Sequence, residues 1–92
     1  MAKVFTKDPD AVLDYKFDWS SWLATGETIT SRTVTVDDGL TNDSDSITDS
    51  GASVTVWLSG GTANGNYAVA CKITTDGGRT DERTATIHVR QR

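Results

Sequence analysis

Two side chains carry the heteroatoms from which enzymes most often build nucleophiles and bases. They are Cys71 and His88, the only cysteine and the only histidine among 92 residues. A working nucleophile needs a base within hydrogen-bond reach and a turn that presents it. Cys71 instead falls in phase with Tyr67, Val69 and Ile73, the apolar positions of an alternating segment, which marks it as a small core hydrophobe. His88 sits between Ile87 and Val89, on the opposite face of its segment, as a solvated strand histidine does. No Gly-x-Ser-x-Gly turn is present. One thiol and one imidazole cannot complete a four-ligand zinc site. These residues predict no catalytic group, no resident metal, no cofactor and no enzymatic activity.

Oxygen ligands are more plentiful. The stretch "DDGLTNDSDSITDSG", residues 37–51, holds Asn42, Asp43, Asp45 and Asp49 with only Leu40 and Ile47 to bury. Hard cations favour such clusters, but a calcium loop of the helix–loop–helix kind needs a glycine at its sixth position and a bidentate glutamate at its twelfth. Neither is here. The segment is expected to be a long solvated acidic loop, with room for one short strand around Ile47.

The elements that must hold these residues are short. "AVLDYKFDW" puts Leu13, Tyr15, Phe17 and Trp19 on one face and Asp14, Lys16 and Asp18 on the other, the period of a half-buried strand. "SSWLATGE" breaks that period and predicts one helical turn ended by Gly26. "TITSRTVTV" is β-branched, yet Ile29 is odd-numbered while Val34 and Val36 are even, which calls for a bulge near Ser31 and Arg32. Val54, Val56 and Leu58 share a face in "ASVTVWLSG". "TTDGGRT" reads as a hairpin loop, and Ala85, Ile87 and Val89 face inward in the last strand. Five strands, and up to seven, with no helical period beyond one turn predict an all-β, immunoglobulin/fibronectin-III-like antiparallel β-sandwich.

Tyr67 sharpens that expectation. It follows the glycine-rich bend "LSGGTANGN", where Gly60 and Gly61 allow the chain to cross between sheets. In immunoglobulin-type sandwiches a tyrosine near the start of the penultimate strand turns its hydroxyl back onto upstream backbone. Tyr67, Gly60, Gly61, Trp19 and Trp22 are the structural residues predicted here, Trp19 in the core and Trp22 covering one end. Trp57 is of another kind, because it lies opposite the face of Val54, Val56 and Leu58. Two placements are open: an exposed contact surface, or burial under the 37–51 segment. Sugar stacking on it is a third use, with no amide or carboxylate set to support it.

Length and charge bound the rest. A single domain of this size has a thin core and little room for a deep cleft. A formal net charge of −4 argues against nucleic acid and anionic membranes as partners. No apolar run approaches a membrane span, and "MAKVFTKDPDA" has no signal-peptide core, so synthesis in a cytoplasm without general export is expected. Residues 1–10 read as a polar N-terminal arm with Val4 and Phe5 as its apolar anchors, and residues 11–92 as one sandwich domain.

Taken together, "KDPDAVLDYKFDWSSWLATGETI" and "VWLSGGTANGNYAVACKITTDGGRTDERTATIHVR" resemble a family of small immunoglobulin-like virion structural proteins of tailed bacteriophages, encoded in the head, neck and tail morphogenesis region. The shared frame is DPDAxLDY, DWSxWL, Gly-x-Thr-Ile, WLSGGT and TTxxGRTDxR. The resemblance implies a non-enzymatic virion component that decorates the capsid or joins head and neck parts by protein–protein contacts. Its partners would be other capsid, neck or tail subunits, with homo-oligomers in the particle as one arrangement. Trp57, Val4 and Phe5 are the candidate interface residues. The rival expectation is a ligand-binding sandwich that recognises carbohydrate or a host-cell surface.

Overall fold

A computed structural model describes residues 3–90 of the chain; Met1, Ala2, Gln91 and Arg92 lie outside the described residues. Seven strands follow one another: β1 (Lys3–Lys7), β2 (Leu13–Asp18), β3 (Ile29–Val36), β4 (Leu40–Thr48), β5 (Ser53–Gly60), β6 (Asn66–Thr75) and β7 (Thr80–Val89). One sheet has the order β1-β7-β6-β3 and the other β2-β5-β4. The second is the B-E-D sheet of an immunoglobulin-type sandwich, and β3, β6 and β7 form its C-F-G sheet. Every pairing is antiparallel except β1 with β7, which is parallel. The molecule is an all-β sandwich, 42 Å long and about half that in its other dimensions.

The core follows from alternation. Tyr15, Phe17 and Trp19 meet Val54, Val56 and Leu58 from one sheet and Val69, Cys71, Ile73, Ala85, Ile87 and Val89 from the other. Each fully buried Val, Leu or Ile side chain in that list stabilises the fold by about 1.5–3 kcal/mol. Leu13, the first residue of β2, stays partly exposed instead of joining the core.

Two bulges correct the strand parity. The β3–β6 register shifts between Ile29 and Ser31, so Ile29 and Val34 both point inward despite their odd separation. The β4–β5 register shifts between Asn42 and Ser44. Leu40 and Ile47 are also an odd number of residues apart, and the extra residue, Asp43, lets both face the core. The expectation of a long loop over 37–51 is thereby corrected. The segment contains the nine-residue strand β4, held by pairing with β5 rather than by its own composition.

The arm expected over residues 1–10 is corrected too. Lys3–Lys7 is an edge strand of the larger sheet, in register with residues 85–89. Phe5 packs on Tyr15 with ring centroids 5.0 Å apart. Lys7 is fully buried, and its Nζ donates to the carbonyls of Gly60 at 2.7 Å and Asp8 at 2.8 Å. Desolvation lowers its pKa below the ordinary lysine value. A polar composition hides this strand because its anchors are one ring and one ammonium.

Candidate functional site

At one end of the sandwich the sequence motifs interlock. The β2–β3 connection turns where the N–H groups of Trp22 and Leu23 both bond to the Trp19 carbonyl, at 2.9 and 3.0 Å. Trp19 is fully buried and its indole N–H donates to Asp81 Oδ2 at 2.9 Å. The Arg83 guanidinium lies 4.8 Å from the Trp19 ring and donates to the Asp18 carbonyl at 2.6 Å. Beside it, Arg79 stacks 3.9 Å from the Trp22 ring and pairs with both carboxylate oxygens of Glu27. Hydrogen bonds from Arg79, then Thr75 and Ala24, hold the Glu27 carboxyl down at about 2. Arg79, Asp81 and Arg83 are three of the four charged residues of "GRTDER", Glu82 being the fourth. Their shared task is to lock the two tryptophans of "DWSSWL" in place.

The opposite end is built around Tyr67. Its hydroxyl accepts from the Thr62 N–H at 2.9 Å, five residues upstream, and this bond holds the phenol below its ordinary pKa. Gly60 and Gly61 both take positive φ, +81° and +93°. A Cβ on Gly61 would stand 2.6 Å from Val89 Cγ2. "WLSGGT" thus serves the crossing between sheets, apart from its tryptophan.

Trp57 is 42% exposed. Its neighbours in the sheet are Asp14 on β2 and Ser44 on β4. On the outer face, short side chains surround Trp57 on β5 and β4, with Thr55 and Ser59 on β5 and Ser44 and Ser46 on β4, while β2 adds Asp14 and Lys16. Asp43, pushed out by the bulge, accepts from Ser59 Oγ at 3.0 Å. Val12, the residue before β2, is 56% exposed. Asp14 was not legible as a site residue in the sequence. Alternation places Asp14 outward, but only the β2–β5 register sets it beside Trp57. Val4, 70% exposed on β1, lies on the other sheet, while Phe5 is partly buried against the core.

The remaining candidates are separated. Burial pushes the Cys71 thiol up to about 12, and His88 Nδ1 lies 2.7 Å from Asn66 Oδ1. Asp45 pairs with Arg32, and Asp49 with Lys16. Among the described residues no three His, Cys, Asp or Glu side chains are grouped to hold a metal ion. No helix of the described residues is long and apolar enough to cross a membrane. A cleft of about 270 Å³ between β1, β2 and β7 is lined by Phe5, Phe17 and Ala85 with Lys16, Asp18, Arg83 and Thr84.

Fold and surface together define a small immunoglobulin-like sandwich whose distinctive group is an aromatic side chain on a sheet face. The family model described as "Podophage GP4 fiber-tail adaptor protein gp77" matches residues 7–88, and the chain belongs to that family of small phage virion structural proteins. No curated protein matches the chain. Among solved structures, the solution structure of the PKD domain from KIAA 1837 protein is similar at 16% identity with a TM-score of 0.49, covering 98% of this chain and 80% of that one.

Proposed function

We propose that this chain is a non-enzymatic virion adaptor that joins a tail protein to a fiber protein through protein–protein contacts, with the Trp57 face as one contact surface. The observation that carries this reading is the 42% exposure of Trp57 in a chain whose family is described as a fiber-tail adaptor. An indole standing above the short hydroxyl side chains of β5 and β4 is the shape of an interface anchor. The family description favours the tail over the capsid surface and the neck, the other two positions for such a module. Val4 on the opposite sheet supports a second contact, which an adaptor needs. The acidic charge is consistent with partners that are neither nucleic acid nor membrane.

The test is a phage carrying Trp57→Ala. Fiber occupancy of purified particles, counted by electron microscopy, should fall at least severalfold, while the purified variant keeps the wild-type melting temperature. Full fiber occupancy, or absence of the chain from the tail region of wild-type particles, would overturn the reading. Saturable sugar binding by the isolated domain, abolished by Trp57→Ala, would transfer support to recognition of a carbohydrate or host surface.

A further inference from the structure

Each of the three tryptophans stands next to a carboxylate, and in two cases an arginine completes the set. Trp22 has Arg79 stacked at 3.9 Å, and that arginine pairs with Glu27. Trp19 has Asp81 on its indole N–H and Arg83 at 4.8 Å from its ring, with Arg83 Nε 3.7 Å from Asp81 Oδ2. Trp57 has Asp14 directly across the β2–β5 pair, on the same outer face. Here the cation is missing. Among the described residues neither the Asp14 carboxylate nor the Trp57 indole N–H has a hydrogen-bond or ion-pair partner. The nearest cation on that face, Lys16, is committed to Asp49 at 2.8 Å.

From this we infer that Trp57 and Asp14 form a docking site for an arginine side chain of a partner protein, which supplies from outside the third member of the trio. The inference rests on the adaptor reading and names the chemistry of its contact. A guanidinium satisfies both groups at once: its plane stacks on the indole and its N–H fork meets the carboxylate. Charge complementarity points the same way. Asp14, Asp18 and Asp43 all lie on or beside this face, and Lys16, its one cation among the described residues, is already neutralised. The short hydroxyl side chains around Trp57 on β5 and β4 let a flat partner surface approach closely. A lysine would supply charge without the stacking plane or the fork, so the site discriminates between the two.

The test uses the full chain, isotope-labelled, and the indole N–H resonance of Trp57 assigned by its loss in Trp57→Phe. The probes are the capped tripeptides acetyl-Gly-Arg-Gly-amide and acetyl-Gly-Lys-Gly-amide. The arginine peptide should shift the Trp57 resonance saturably, with a dissociation constant at least threefold lower than that of the lysine peptide. Asp14→Asn should weaken it at least threefold, and Asp38→Asn, on the β3–β4 turn, should leave it unchanged. The Trp19 and Trp22 resonances should not move, because their arginines are in place. Equal shifts with both peptides, or no effect of Asp14→Asn, would overturn the arginine site. Those outcomes leave the adaptor reading standing, which fails separately if the chain is missing from the tail region of particles.

Discussion

Glu27 shows how a charged motif is used structurally. Its carboxylate receives Arg79, the Thr75 hydroxyl and the Ala24 N–H, and its pKa falls from 4.5 to about 2. A carboxyl whose folded pKa lies below its unfolded one stabilises the fold fully above the unfolded value. That contribution is lost as pH falls through the folded value. The urea midpoint of Glu27→Gln should therefore lie below wild type at pH 6, and the gap should narrow between pH 4.5 and pH 2. An undiminished gap at pH 2 would mean that glutamine costs stability by a route other than the lost charge. The sequence shows these residues as a charge-rich hairpin, and nothing in "GRTDER" says that Trp19 and Trp22 are its targets. That pairing joins residues about sixty positions apart.

At the scale of elements, the two bulges decide which residues reach the core. Between Ile29 and Val34 the parity conflict is visible in the sequence, because flanking β-branched residues already declare a strand. Between Leu40 and Ile47 the same conflict is hidden by aspartates and serines, which suggest a loop. Deleting Asp43 should restore a flat ladder and force either Leu40 or Ile47 outward. The expected cost is about 1.5–3 kcal/mol, the burial value of one such side chain. Asp43→Ala keeps the residue count and should cost about 0.5 kcal/mol or less. Denaturant titration of the two variants measures both. A similar cost for deletion and substitution would show that the carboxylate, not the extra residue, is what β4 requires.

For the molecule as a whole, two open sheets leave two seams, and inward-pointing charges on edge strands close both. Lys7 reaches Gly60 across one. Across the other, Arg32 of β3 meets Asp45 of β4 at 2.7 Å, and the Asp45 carboxyl is held below its ordinary pKa by Asn42 and then Arg32. Cys71 lies fully buried behind this second seam. Its thiol reports on seam opening, since a group pushed up to about 12 reacts only when the core admits water. Arg32→Ala should speed iodoacetamide labelling of Cys71 roughly fivefold, the factor that about 1 kcal/mol of lost closure gives. An unchanged rate would place the opening of the core elsewhere.

The sequence alone determined the all-β class, the inward rows of β5, β6 and β7, that of β2 apart from Leu13, and the face of β5 on which Trp57 stands, though not its exposure. Those features depend on a period of two along one strand, which is local information. Tertiary structure decided the membership of β1 and β4 in their sheets, the capture of two tryptophans by two arginines, and the placement of Asp14 beside Trp57. Those depend on register between strands far apart in the chain, and register is a property of the pair that neither strand carries by itself.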